Sequence, residues 1–334
     1  MGLDPEDPIE VSYISKIGDR PTGLSYPELL KQPADRQHSN TITNGISRIG
    51  FMAGGKTALW KDEDFPFVLT EKAKIFIEKN KKNPFFLYFS FHDIHVPRIP
   101  NEQFVGSSTM GPRGDVIAQM DWCTGEIVKY LEMLNIHQKT LIIFSSDNGP
   151  VLNDGYSDNC VEMLGDHKPS GPFRGGKYSS FEAGTRVPTI SYWPGKIIPG
   201  ESDALLTQVD LLASLSSLIN VPVEHSDSKD HLDAWLGLSE TGRDIMLEES
   251  YVLGLRKGEW KYIPGSDKDN DWIENTKKIE SGISPEDKLY NLRTDPDESV
   301  NVAEKYPEML IEMKAALETI LGAEYEDNRK AEAK

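Results

Sequence analysis

Thr140-Leu141-Ile142-Ile143-Phe144-Ser145-Ser146-Asp147-Asn148-Gly149-Pro150 carries an apolar strand pattern straight into an Asp-Asn pair and a Gly-Pro break. In open α/β sheets, ligands bind beyond the carboxyl ends of strands, and adjacent carboxylate and amide oxygens suit a hard cation such as Ca²⁺ or Mg²⁺. The alternative is a turn that only ends the strand, since each of these residues is a turn former for its own reason.

Upstream, Phe85-Phe86-Leu87-Tyr88-Phe89-Ser90-Phe91 predicts a strand buried on both faces, with His92-Asp93-Ile94-His95-Val96-Pro97 at its carboxyl end. Val116, Ile117, Met120, Ile127, Val128, Leu131 and Leu134 lie between the two runs at helical spacing, so the segment reads strand, helix, strand. A right-handed crossover would make the strands parallel and bring His95 and Asp147 to one edge. Convergence of two polar clusters favours a site over isolated structural residues.

A third cluster spans Gly165-Asp166-His167-Lys168-Pro169-Ser170-Gly171-Pro172-Phe173-Arg174-Gly175-Gly176-Lys177 and Phe181-Glu182-Ala183-Gly184-Thr185-Arg186. Its glycines allow close backbone approach to a ligand, and its cations stand out in an acidic chain, which suits an anionic substrate. A solvated glycine-rich loop is the alternative.

Together these motifs resemble the formylglycine-dependent sulfatases, the arylsulfatase branch of the alkaline-phosphatase-like superfamily. The resemblance is carried in order by His-x-x-His-x-Pro, Ser-Asp-Asn-Gly-Pro, Arg-Gly-Gly-Lys and the Glu-Ala-Gly-Thr-Arg-Val-Pro run into Trp193-Pro194-Gly195, from Pro84 to about Val221. Leu255 to Tyr262 and Leu289 to Leu292 resemble the family's small C-terminal subdomain. The resemblance implies an α/β sandwich with a large mixed, mostly parallel central sheet flanked by helices, plus a small C-terminal antiparallel sheet with a packed helix. It places the catalytic domain at 1–245, loop-rich over 1–64 and N-terminally incomplete, and the α+β subdomain at 246–334.

By the same resemblance, Asp147 and Asn148 ligate calcium (or Mg²⁺), His95 donates to the departing ester oxygen, and Lys177 holds sulfate oxygens. His92, Arg98 and Arg174 are substrate-binding candidates, with His167 and Arg186 beside them. These assignments make chemical sense, because sulfate-ester cleavage needs fixed positive charge where oxygens become more negative and an acid near neutral pH. The family nucleophile is a formylglycine made from a Cys or Ser that opens a Cys/Ser-x-Pro-x-Arg motif near the N-terminus. Neither Cys123 nor Cys160 has a proline two residues on. Ser170-Gly171-Pro172-Phe173-Arg174 fits the serine form but lies downstream of the metal pair, so it reads as coincidence. The chain thus reads as the C-terminal part of a sulfatase, beginning after the nucleophile, with Met1 an internal methionine, an expression start or the start of a split or truncated gene.

Three functions follow: a sulfuric ester hydrolase portion for an aryl or carbohydrate sulfate, inactive alone; a noncatalytic remnant that binds sulfated glycans; or a phosphatase or phosphodiesterase of the same superfamily. Asn148 counts against the last, whose dinuclear zinc members typically carry histidine there. The expected partners are a sulfated small molecule or glycan and a separately encoded N-terminal sulfatase fragment. A net charge of −18 disfavours nucleic-acid binding, and no apolar run is long enough to span a bilayer. The first residues lack the pattern of a signal peptide, while the resemblance implies a periplasmic, secreted or lysosomal setting.

Elsewhere, spacing predicts a helix from Val68 to Lys81, a core strand from Val187 to Trp193, a helix from Gln208 to Leu218 and a hairpin from Tyr251 to Tyr262 turning at Lys257-Gly258. Glu304 to Leu321 predicts an amphipathic helix, and residues from His225 to Arg243 a polar linker in which His225 and His231 raise a weak metal reading. Asn44 to Gly50 reads as a surface loop or a substrate contact, and Glu324 to Lys334 as a frayed tail.

Overall fold

The computed structural model describes residues 9–11, 22–50, 53–55, 60–224 and 227–322. It divides into two compact units, one of 1–137 with 152–167 and the other of 138–151 with 168–334. These boundaries differ from the expected one at 245/246. The loop after Lys168 packs with the C-terminal sheet through residues such as Arg174 and Glu182, and so joins that sheet's unit.

In the first unit, β1 (Ile9–Val11), β2 (Thr41–Thr43), β3 (Ile46–Arg48) and β4 (Ala53–Gly55) form two antiparallel pairs, β1 with β4 and β2 with β3. Asn44-Gly45 is the tight turn of the second pair, with φ of 52° and 81°. Both residues accept left-handed backbone, so the segment is a hairpin in place of the expected loop.

Helix α1 (Phe65–Asn80) begins with a proline in its first turn and buries Pro66, Thr70, Ala73 and Ile77, a stripe at helical spacing. Helix α2 (Gly111–Met133) buries Val116, Gln119, Cys123 and Leu131. The two pack together, with the Cys123 thiol 3.7 Å from the Pro66 carbonyl and Lys74 3.0 Å from Glu126. Both helices fall where periodicity places them.

Residues 85–91 depart from expectation. They form no ladder among the described residues, and Phe86 and Tyr88 are 72% and 81% exposed. An apolar run signals a strand, but it becomes a buried one only when neighbouring chain occupies both edges and faces.

In the second unit, β5 (Ile142–Ser145) pairs antiparallel with β6 (Thr189–Tyr192), so the expected parallel crossover is not a hydrogen-bonded ladder among the described residues. The expected core strand at Val187–Trp193 is also corrected, because Ile190 and Tyr192 are exposed. Helix α3 (Glu182–Thr185) precedes β6, α4 (Leu211–Leu218) matches its predicted position, and α5 (Leu232–Trp235) replaces part of the expected linker by burying Trp235. His225 and the tail from Glu324 lie outside the described residues. His231 sits 4.0 Å from Asp210.

Strands β7 (Ile245–Ser250), β8 (Val252–Lys257), β9 (Trp260–Ile263) and β10 (Lys288–Asn291) form an antiparallel sheet in the order β10-β9-β8-β7. The predicted hairpin turns at Gly258, whose φ is 54°. On one face Leu255, Tyr262 and Leu289 pack against Met313 and Leu317 of α6 (Pro307–Leu321). On the other, Val252, Ile263 and Tyr290 pack against Phe181. Each fully buried side chain of this size contributes roughly 1.5–3 kcal/mol relative to exposure. Strand alternation puts Lys261 on the Ile263 side, facing inward towards the Phe181-Glu182 segment. No helix among the described residues is long and apolar enough to cross a membrane.

Candidate functional site

Asp147, Asn148, Arg174 and Lys177 belong to the second unit, and His92, His95 and Arg98 to the first. In the second unit, β5 ends at Ser145 and delivers an exposed Asp147 and a half-buried Asn148. The Asp147 Oδ1 accepts the Asn148 amide at 3.0 Å, while the Asn148 Nδ2 donates to the Gly149 carbonyl at 2.9 Å. With Nδ2 committed, the Asn148 oxygen is the atom left for a cation.

Two backbone bonds join this turn to the glycine-rich loop. Gly149 N–H donates to Gly184 O at 3.0 Å, and Lys177 N–H to Pro150 O at 2.9 Å. The approach admits no side chain: a Cβ on Gly149 would lie 1.6 Å from the Ala183 carbonyl oxygen, and one on Gly184 would lie 1.9 Å from that of Ser179. Sequence order therefore becomes spatial order, with the Asp-Asn pair and Lys177 on one main-chain frame. The Lys177 ammonium lies 5.2 Å from the centre of the Tyr178 ring, and the side chain is half-buried.

Arg174 is held from several sides. It forms a two-pronged pair with Glu280 at 2.6 and 2.8 Å, donates to the Glu298 carbonyl at 2.8 Å and stacks 4.1 Å from the Phe181 ring centre. Its donors thus secure the loop that presents Lys177. Arg186 stacks 4.4 Å from the Phe173 ring, and His167 is exposed.

In the first unit, His95 is 59% exposed at its side chain. Its Nδ1 is 2.7 Å from the Val96 carbonyl, and its Nε2 is 3.8 Å from the Asp154 carboxylate. His92 lies 3.9 Å from Asp62 and 3.6 Å from Asp93, and Asp93 accepts a hydrogen bond from Gln119 at 2.8 Å. Arg98 is only 3% exposed and pairs with Asp158 at 2.7 Å, with further bonds to the carbonyls of Ile94 and Leu152. This geometry makes Arg98 a brace for the loop that carries His95.

Asp147 and Asn148 have the hard oxygen chemistry that calcium requires, and they fit two positions of a coordination shell that holds six to eight oxygens. No group of three or more His, Cys, Asp or Glu side chains gathers at metal distance among the described residues.

Sequence reading missed the buried charges behind the loop. Glu182 and Lys261 are both fully buried and 3.0 Å apart, with Glu248 and Glu298 beside them. The available signal was a lysine at an inward position of an otherwise apolar strand.

A family model described as Sulfatase matches residues 22–221. An N-acetylgalactosamine-6-O-sulfatase of Bacteroides thetaiotaomicron is 48% identical over 325 residues, covering 96% of this chain and 63% of that protein. Arylsulfatase A of Homo sapiens is 30% identical over 254 residues, 71% of this chain and 48% of its own length. A solved structure from work on glycosaminoglycan metabolism by Bacteroides thetaiotaomicron superposes with a TM-score of 0.90 at 48% identity, over 96% of this chain and 67% of the other. A Pseudoalteromonas sulfatase shares the fold, at a TM-score of 0.65 and 23% identity over 81% of this chain and 57% of the other. The chain spans 63% of the length of the Bacteroides relative.

Proposed function

Because the chain belongs to the sulfatase family, we propose that it carries the cation-binding and sulfate-binding part of a sulfuric ester hydrolase. The substrate class is a carbohydrate 6-O-sulfate on N-acetylgalactosamine, a reading supported by the name of the Bacteroides relative and its 48% identity. The observation that carries the proposal is the backbone tie of Gly149 to Gly184 and Pro150 to Lys177, which holds a carboxylate, an amide and an ammonium on one frame.

Each residue then has a chemical task. Asp147 and Asn148 would hold calcium, which when bound supplies positive charge where sulfate oxygens gain negative charge. Lys177 binds and orients the sulfate group through its ammonium, presented from a loop whose backbone is tied to Pro150. His95, in the first unit, has its Nδ1 engaged by the Val96 carbonyl, which leaves Nε2 as the nitrogen able to give a proton, the task that the family resemblance implies for it. Asp154 places a negative charge 3.8 Å from that Nε2, which favours the protonated ring. None of these residues is the attacking group, which in this family is the formylglycine.

The test is calorimetry and a turnover assay of the purified chain with N-acetylgalactosamine 6-sulfate and calcium. The expected result is weak binding that Lys177→Ala abolishes, without multiple turnover, because covalent catalysis needs a positioned nucleophile. Repeated turnover lost in His95→Ala would overturn the view that the chain alone is inactive and would restore Ser170 as a candidate nucleophile. Binding of a phosphate monoester in preference to the sulfate would overturn the substrate class.

A further inference from the structure

Arg113 lies in the first turn of α2 and is only 3% exposed, yet its Nε and Nη1 have no hydrogen-bond partner. The guanidinium of an arginine does not shed its proton at physiological pH, so a buried one needs negative charge within reach. An orphaned donor in that position therefore points to a ligand.

The protein's own carboxylates near Arg113 are already committed. Asp158, also buried, is the one whose field reaches it, and both of its oxygens are taken, Oδ2 by Arg98 at 2.7 Å and Oδ1 by the Cys160 amide at 3.1 Å. The Cys160 thiol adds no charge, because burial and Asp158 push it up to about 11. Asp115, two positions along the helix, accepts the amides of Gly106 and Ser108, each at 3.0 Å. Asp154 faces His95 Nε2 at 3.8 Å. Arg98 and Arg113 thus share the single charge of Asp158, and an excess of one positive charge is left in the interior. Burial first, then the field of Arg98, pull the Arg113 guanidinium below its usual range against the opposing pull of Asp158.

The helix adds to that excess. α2 runs for 23 residues, its N-terminus at Met110 has no side-chain cap, and the amides at such an end carry positive potential. Its first turn is buried at Gly111, Arg113 and Gly114, with Met163 packed so closely that a Cβ on Gly111 would lie 2.5 Å from the sulfur.

We propose that Arg113 and the uncapped first turn of α2 form a buried site for a small inorganic monoanion of the halide class, chloride under physiological conditions, beside the Arg98–Asp158 pair. A single negative charge is what the balance of Arg98, Arg113 and Asp158 lacks, and a small ion suits a turn that is already packed over. Arg98 also holds the carbonyls of Ile94 and Leu152, so an anion that relieves its repulsion from Arg113 steadies the loop that carries His95. The site is separate from the sulfate-binding groups Asp147, Asn148 and Lys177, which belong to the other unit.

Thermal unfolding of the purified chain at constant ionic strength, with chloride or bromide replacing gluconate, is the deciding experiment. The wild-type Tm is expected to rise by about 5 °C between halide-free buffer and about 0.5 M halide, since a ligand bound only by the folded form stabilises it by mass action. Arg113→Met is expected to lose that rise and to unfold in gluconate at or above the wild-type temperature, because methionine fills the space without the unmatched charge. Bromide-soaked crystals of the unaltered chain give an independent reading, with anomalous density expected beside the Arg113 guanidinium. A Tm indifferent to halide, a rise that persists in Arg113→Met, or bromide density only at other places would overturn the proposal. An Arg113→Met protein less stable than wild type in gluconate would mean that the fold itself matches the charge, and would overturn it too. If that variant fails to fold, the bromide density decides alone. Stabilisation by N-acetylgalactosamine 6-sulfate that Arg113→Met abolishes would assign the guanidinium to substrate and reject the halide site.

Discussion

Gly149 donates its amide to the Gly184 carbonyl at 3.0 Å, in a space where even a methyl group on Gly149 would sit 1.6 Å from the Ala183 oxygen. That bond turns a strand end and a distant loop into one structural object. Gly149→Ala should cost about 1–3 kcal/mol, since the obstacle is backbone and cannot rotate away. Urea unfolding measures the cost, and sulfate titration should show weakened binding in the same variant. A loss below about 0.5 kcal/mol with binding intact would mean that the two loops separate freely.

Lys261→Met should be more damaging than most single changes. Methionine fills the volume but leaves three buried carboxylates without the charge at their centre, a situation that typically costs about 3–5 kcal/mol. Unfolding at low pH should recover part of the loss, as the carboxylates take up protons. If the variant is as stable as the parent at neutral pH, the cluster is not the electrostatic centre described above.

Calcium affinity should be modest. Two oxygen donors from Asp147 and Asn148 leave most of the coordination shell to water, which places dissociation at or above roughly 10⁻⁴ to 10⁻³ M. Calorimetry with Asp147→Ala as the control tests this, and micromolar affinity lost in that variant would reveal further ligands.

The thiols should be inert in the folded protein. Cys123 and Cys160 are both buried, and Cys160 donates to the Leu152 carbonyl at 2.8 Å. Burial, reinforced by Asp158, pushes the Cys160 thiol up to about 11, and burial also raises Cys123. A chromogenic disulfide reagent at pH about 8 should therefore give no fast phase until urea is added, because the thiolate is the reacting form. Rapid labelling of one equivalent without denaturant would contradict the packing around Leu152 or Pro66.

Local order was largely readable in the sequence. The stripe through Ala73 and Ile77, the long helix around Val116 and Leu131, and the hairpin at Gly258 all appear where spacing and turn chemistry put them. The Asn44-Gly45 turn was equally readable from its dipeptide, yet composition alone gave a loop. Long-range arrangement was not readable. The pairing of β5 with β6 depends on a segment more than forty residues away, and nothing in the Phe85 run states which chain lies beside it. Asp147, Asn148 and Lys177 stood out in the sequence by residue type, while their shared frame came from glycines that read as room for a ligand and that the fold uses for the close approach of backbone to backbone. Glu182, Lys261 and Glu298 were invisible as a group because they come from three separate segments and carry no common spacing.

A frame built from peptide groups has an evolutionary consequence. The two bonds that tie the Asp147 turn to the Lys177 loop join main-chain carbonyls and amides, so the seam itself constrains side chains only at its glycines, while Arg174 secures the loop from outside it. Exposed residues such as Lys168 and Gly171 are outside that seam and free of its constraint. A lineage can thus vary the exposed loop residues while the frame that carries Asp147, Asn148 and Lys177 stays put, which separates the history of the surface from that of the frame.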